Sequence, residues 1–391
     1  MSAQYLRHKI FNAWWMKMSI GVELDHASQL AELLIEADLR GHYSHGLNRL
    51  HVYIEDVIGG INKEGKPKVV KSKGATAWVD GDNALGVVVG NFCTDLAIQL
   101  AKEHGIGWVV ANNSNHYGIC AHYAKRITNN GYVGMTFTNT SPCLFPSGSS
   151  QMGLGSNPIC VAANGSGTAK QIAEEKDSFF LDMATSTVAL GKIEVADRKG
   201  FTHIPSQWGA NSNGQPTDNP KVVLQGGGLL PLGTSGNSSE ISAGYKGTGL
   251  AMMVEMFCGL LGGAAYGKNI RKWRDEANQN ANLGQCFVAL DPECFAPEFA
   301  DRLQTFIDET RTLEPVNAGE QVLVAGDPER QHIALCKMAG GIIYNHSIID
   351  HLDNVATKSM IQNDALTKYK RLRPPPSVSS CPTGHVCSAV K

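Results

Sequence analysis

The sequence predicts an α/β fold, and three observations carry that expectation. Segments with apolar residues at helical spacing alternate with short apolar runs of strand length. Several of those runs pass directly into small polar residues, as at Ala111 to Gly118 and at Phe179 to Ser186. The longest apolar stretch, Gly249 to Ala265, is interrupted by Glu255 and falls short of the roughly 20 residues a bilayer-spanning helix needs.

The first helix is expected over 25–40, with Asp25 as its cap, Leu30, Leu33, Leu34 and Ala37 as its buried stripe, and Gly41 after the last turn. A second is expected over 45–58, capped by Ser44 and striped by Leu47, Leu50, Ile54, Val57 and Ile58. Helices near 91–104 and 118–129 lead into strands at Trp108 to Ala111 and Tyr132 to Thr138. Further strands are expected at 157–162, 178–182 and 285–290, and further helices near 186–197, 247–263, 296–311 and 328–338. Residues 203–243, rich in Gly, Asn, Ser and Pro, read as long loops. From Lys370 the chain turns basic and then Pro/Ser-rich, so this tail is expected to be disordered.

Composition narrows the function classes. A chain of 391 residues is long enough for two or three domains, and 42% hydrophobic with 18% charged residues suits an ordinary globular protein. A net charge of −2 gives no electrostatic case for nucleic acid or an anionic membrane as partner. Ten cysteines without a Cys-x-x-Cys pair point to reduced, mostly buried thiols and a cytoplasmic location. Because the first 22 residues contain no acid, a transit peptide is the alternative. Cys381, His385 and Cys387 lack a fourth ligand, so no metal site is assigned.

The densest chemistry lies at Ser44-His45-Gly46 with Arg49 one turn on. On a helix His45 and Arg49 share a face, opposite the apolar stripe. A proton shuttle beside a carboxylate clamp is the pair that oxidation of a 2-hydroxy acid requires; the bland reading is a capped surface helix with a polar face. His116, between Asn115 and Tyr117, reads as a substrate-orienting group or as a surface-loop histidine. Asp182-Met183-Ala184-Thr185-Ser186 offers a helix start suited to a pyrophosphate, or simple capping. Gly244-Tyr245-Lys246-Gly247 presents an ammonium to a cofactor or carboxylate, or is a glycine turn with an exposed lysine. The dinucleotide fingerprint G-x-G-x-x-G is absent after every expected strand, and Gly262 to Lys268 fails as a P-loop because Asn269 stands where Ser or Thr should bind magnesium.

Taken in order, Ser44-His45-Gly46 with Arg49, Asn113 to Gly118, Gly155-Ser156-Asn157-Pro158, Asp182 to Ser186, Gly191-Lys192-Ile193 and Gly244 to Gly247 closely resemble the type 2 malate/L-lactate dehydrogenase family. The resemblance covers roughly 25–345 and implies a mixed β-sheet with flanking helices rather than a Rossmann fold, plus a mainly helical domain. It implies a helical domain at 25–75 completed by about 270–345 and a cofactor-binding α/β domain at 76–269; the chain departs from the family in an atypical extension at 1–24 and in a tail at 366–391. It also implies a homodimer with the site near the subunit interface, and NAD, with NADP as the alternative.

By the same resemblance His45 is the general acid/base, Arg49 holds the C1 carboxylate, and His116 lines the nicotinamide and substrate pocket beside Ser44. Asn157, Pro158, Asp182, Met183, Ala184, Thr185, Ser186, Tyr245, Lys246, Gly319 and Glu320 are the implied cofactor contacts. The implied reaction interconverts a 2-hydroxy and a 2-oxo acid, with malate as leading substrate. Lactate, sulfolactate, ureidoglycolate, diketogulonate or a cyclic imino acid are the runners-up, and a catalytically idle nucleotide-binding homologue is the reading from another class.

Overall fold

A computed structural model describes residues 20–169, 176–236, 242–273 and 278–344. Most of the N-terminal extension, the C-terminal tail and the Cys381/His385/Cys387 cluster lie outside the described residues. Helices α1 (Leu24–Leu39) and α2 (Leu50–Gly59) are followed by a hairpin of β1 (Lys68–Lys73) and β2 (Thr76–Asp80). Then come α3 (Gly86–His104), β3 (Ile106–Ser114), α4 (Cys120–Asn129), β4 (Val133–Thr138), β5 (Ile159–Thr168), β6 (Lys176–Met183) and α5 (Leu190–Arg198). The expected long loops contain three two-residue strands, β7 (Gly209–Ala210), β8 (Pro216–Thr217) and β9 (Gly228–Leu229), with the short helix α6 (Pro220–Leu224) between the last two. The chain continues through α7 (Gly244–Glu255), a π turn at Met256–Leu260, β10 (Leu283–Leu290), α8 (Phe299–Arg311) and α9 (Asp327–Met338).

The sequence pattern explains most of these elements. The stripe Leu30, Leu33 and Leu34 of α1 is fully buried, worth about 1.5–3 kcal/mol per side chain. Asp25 sits inside the first turn of α1 and accepts from Gln29; the cap position belongs to Glu23, which makes no side-chain cap. Helix α3 begins earlier than its periodicity predicts, because Val87, Val88 and Val89, a strand-like run, are buried in helical geometry, where packing overrides propensity. Strand β1 lies inside the segment expected to be helical. All of it is exposed and it carries Lys68, Lys71 and Lys73, the character of a protected sheet edge rather than of an alternating strand.

Seven strands form one mixed sheet in the order β1-β2-β3-β10-β4-β5-β6. Only β2 and β3 pair in parallel among the described residues; the other five pairings are antiparallel. This is the mixed sheet with flanking helices that the resemblance implied. Strand β10 pairs antiparallel with both β3 and β4, β5 with β4, and β6 with β5. Consequently the carboxyl ends of β3, β4 and β6 lie at one edge with the amino ends of β5 and β10. The registers Leu283↔Ser114, Gln285↔Thr138 and Ile159↔Met183 mark that edge. The polar segments that follow the three expected strands therefore converge, as strand ends in open sheets do around ligands.

Candidate active site

The expected helix over 45–58 does not begin at Ser44. Asp38, near the end of α1, turns its carboxylate inward, where Oδ2 accepts the Leu47 N–H at 2.9 Å and the Tyr344 hydroxyl at 2.8 Å. Gly46 lies so close that a Cβ there would come within 1.8 Å of Asp38 Oδ1. These contacts hold residues 42–46 in a turn, and the chain winds only through a 3-10 turn at Leu47–Arg49 before α2 starts. Ser44 is therefore no cap: its hydroxyl lies 2.9 Å from His45 Nδ1 and its carbonyl accepts from Arg49 Nε at 2.8 Å. Ile58 leaves the expected stripe, being 69% exposed, whereas Val52 and Tyr53 are buried. His45 and Arg49 thus share a corner rather than a helical face.

Three residues beyond Asn113, at the end of β3, His116 stacks against His45 at 6.0 Å between ring centroids, with the planes 18° apart. Its other neighbour is Trp273, stacked at 3.9 Å and 15°. His116 Nδ1 accepts from the Tyr53 hydroxyl at 2.7 Å and from the Gly118 N–H at 3.2 Å. A backbone N–H can only donate, so Nδ1 carries no proton and the neutral ring bears its proton on Nε2. Asp56 fixes the stack from behind, taking Trp273 Nε1 and Arg271 Nη2, each at 2.6 Å. Burial pushes both imidazoles toward the neutral form, reinforced at each by the Arg49 charge: His45 falls to about 3, and His116 falls well below its usual value.

The two rings open onto a cavity of about 480 Å³ at the converging strand ends. Of the expected contacts, Ser44, His45, His116, Pro158, Asp182, Met183, Ala184 and Ser186 line it. Asp182 accepts the Ala121 N–H at 2.8 Å, and burial raises its pKa. The helix expected to start at 186 starts at Leu190 instead. Thr185 donates from both its amide and its hydroxyl to the Ser156 carbonyl, and the Ser186 hydroxyl donates to the Val188 carbonyl. The hydroxyl hydrogens expected to cradle a pyrophosphate are thus spent on the backbone.

Asn157 and Arg49 stand behind the wall. Asn157, at φ +32°, donates to the Ala251 carbonyl and Glu255 Oε1, and accepts the Thr140 N–H, each bond at 3.0 Å. Arg49 is buried beside Glu194, with Nη2 to Oε2 at 2.9 Å. Tyr245 and Lys246, in the first turn of α7, and Gly319 and Glu320, before α9, are exposed and do not line the cavity.

Residues 12–353 match the sequence profile of the malate/L-lactate dehydrogenase family. The chain belongs to that family. A malate dehydrogenase of Pyrococcus horikoshii is 36% identical over 344 residues, 87% of this chain and 90% of that one. An L-sulfolactate dehydrogenase of Methanocaldococcus jannaschii is 36% identical over 315 residues (80% and 85%), and a ureidoglycolate dehydrogenase (NAD(+)) of Escherichia coli 30% identical over 345 (86% and 92%). A solved malate dehydrogenase structure from Pyrococcus horikoshii superimposes with a TM-score of 0.80 at 31% identity, covering 93% of this chain and 96% of that one. The protein is thus a dehydrogenase acting on a CH–OH group.

Several residues of this malate/L-lactate dehydrogenase family member escaped sequence reasoning. Tyr53, Trp273 and Asp56 belong to no motif in the sequence. His42 lines the cavity, its Nε2 making no hydrogen bond but lying 3.7 Å from Glu329 Oε1. Lys192 was visible within Gly191-Lys192-Ile193 but had no assigned role; it also lines the cavity.

Proposed function

We propose that the protein is an NAD(P)-dependent oxidoreductase interconverting a 2-hydroxy acid and a 2-oxo acid, with malate and oxaloacetate as the leading pair. The observation that carries this reading is the stacked, neutral His45–His116 pair opening onto a cavity at the strand ends. His45 in its neutral form accepts the proton of a C2 hydroxyl, and returns it in the reverse direction. His116, fixed as the Nε2–H tautomer by Tyr53 and Gly118, donates a hydrogen bond to the same oxygen. Arg49 holds the C1 carboxylate; a two-point grip requires its guanidinium to turn from Glu194 toward the cavity.

A dinucleotide suits this cavity in size, since ligand sites run from about 300 to 1,000 Å³, and the His42 ring on the cavity wall, beside Glu329, offers it a polar contact. Pro158, Asp182, Met183, Ala184 and Ser186 would hold it from the wall, with Asn157 and Thr185 in support. When bound, the nicotinamide supplies the hydride acceptor or donor. NAD is the favoured cofactor, in line with the NAD(+)-dependent relative, with NADP as the alternative.

We further infer a homodimer. Tyr245, Met252, Met256 and Leu260 recur at helical spacing along α7 and its π turn, 47–64% exposed, an apolar stripe that a second copy would cover. Tyr245 and Lys246 would then sit at the interface. Among the described residues no helix is long and apolar enough to cross a membrane, and we place the protein in the cytoplasm.

Purified protein mixed with NADH or NADPH and a panel of 2-oxo acids, followed at the nicotinamide absorbance band, tests this reading. Turnover of oxaloacetate supports it; cofactor binding without turnover of any acid returns the idle-homologue reading.

A further inference from the structure

Lys192 is the only lysine or arginine among the described residues that line the cavity. It belongs to the first turn of α5, and its neighbour Gly191 abuts the catalytic corner. A Cβ on Gly191 would come within 2.5 Å of Ser44 Cβ and 2.8 Å of Arg49 Nη2. Lys192 is thus the next residue after one packed against the turn that carries His45, and it lines the same cavity. The ammonium lies 4.8 Å from the centre of the Trp208 ring, which supports it from one side. Among the described residues no carboxylate lies within ion-pair distance of it; Glu194 on the same helix is taken by Arg49 and Arg198. Half-burial lowers the Lys192 pKa, as expected for an ammonium short of a counter-charge.

We propose that Lys192 is the specificity-determining cation for a second acidic group, carboxylate or sulfonate, on the carbon chain of the 2-hydroxy acid. This rests on the oxidoreductase reading above. Arg49 packs against Gly191 and Lys192 follows it on α5, so with Arg49 serving the C1 carboxylate the Lys192 ammonium on the cavity wall serves the distal acid. A monoanionic acid leaves the Lys192 ammonium without its partner, and a dianionic one completes it. A phosphate of the dinucleotide is the competing anion for the same ammonium, and the experiment is built to separate the two.

Lys192→Met keeps an unbranched stem beside Trp208 and removes the charge; Lys192→Arg restores charge. kcat/KM is measured for oxaloacetate and for pyruvate in wild type and both variants, with the dissociation constant of NADH from its fluorescence. Lys192→Met is expected to lower kcat/KM for oxaloacetate about 30-fold or more and for pyruvate less than about 3-fold, a loss of the order that one desolvated charge contact accounts for. The NADH constant stays unchanged and Lys192→Arg recovers part of the loss. Equal losses for the two acids, or a loss carried by the NADH constant, would overturn the proposal. Thermal shifts by L-malate and L-lactate give a readout independent of turnover. Wild type is expected to be stabilised more by malate, and Lys192→Met equally by both. That pattern would survive even if the wild type turned over neither acid, whereas equal shifts in wild type would refute the role of Lys192.

Discussion

Nη2 of Arg49 meets Oε2 of Glu194 at 2.9 Å, and each side chain is only 8% exposed. The ion pair joins the turn that carries His45 to α5, whose first residues form part of the cavity wall. A buried pair resists loss of one partner far more than loss of both, because the survivor is left as an uncompensated charge.

Glu194→Ala should therefore destabilise the fold by about 3–5 kcal/mol, read as a fall in the denaturant midpoint. Arg49→Lys should fold but raise KM for the acid about 10-fold or more with a smaller effect on kcat, since lysine cannot offer the planar fork. An unchanged KM in Arg49→Lys would remove Arg49 from substrate binding.

The tautomer of His116 gives a second prediction. Tyr53→Phe removes one of the two donors to Nδ1 while leaving the Gly118 N–H in place. One hydrogen bond is worth about 0.5–1.5 kcal/mol, so kcat should fall by no more than about tenfold, with KM for cofactor unaffected. A fall as large as that of a His116 deletion would mean that Tyr53 itself reacts.

Linkage fixes the pH response. His45 titrates near 3 in the folded chain, and His116 is also depressed, so below their ordinary value of 6.5 the unfolded chain binds protons that the folded one refuses. Their contribution to stability is complete above 6.5 and drains away as pH falls toward 3, at about 1.4 kcal/mol per pH unit for each ring. Replacing either histidine by Gln should flatten the fall in urea midpoint between pH 7 and pH 5.

Asp38 works in the opposite sense. Burial lifts it from 3.8 to about 7, so the folded chain holds a proton that the unfolded one has lost, and stability falls as pH rises from about 4 to 7. Asp38→Asn keeps an acceptor for Leu47 and Tyr344 and carries no charge. Its melting temperature relative to wild type should be higher at pH 8 than at pH 5; a constant difference would contradict the buried-acid account.

Glu255 links two loops of the cavity. Its oxygens accept from Asn157 and Asn139, each at 3.0 Å, and Asn157 in turn receives the N–H of Thr140, a lining residue. Glu255→Gln would set an amide N–H against one of these donors, costing about 1–3 kcal/mol. We expect a weaker NADH affinity, by about tenfold, with kcat nearly retained; loss of kcat at unchanged affinity would place Glu255 in the chemistry instead.

Much of this architecture was legible from local pattern. The Leu30/Leu33/Leu34 stripe marks α1, and the polar segments after Ala111, Thr138 and Leu181 mark the edge where the cavity lies. What local pattern hides is set by contacts distant in the chain. The turn at His45 exists because Asp38 captures the Leu47 N–H and meets Gly46, which no helical periodicity reveals. Strand β1 lacks alternation because its whole length faces solvent. Tyr53 and Trp273 belong to no motif, and only the fold brings each of them against the His116 imidazole. Lys246 carries a clear motif yet lies on an exposed face, so its role depends on what covers α7.

Single-turnover oxidation of enzyme-bound NADH by oxaloacetate, in wild type and His45→Gln, isolates the proton transfer assigned to His45 from product release. Wild type is expected to oxidise the bound NADH in its first turnover. His45→Gln should bind NADH equally well by fluorescence titration but react about 10²–10⁴-fold more slowly. Equal rates in the two proteins, with any 2-oxo acid that wild type reduces, would contradict it.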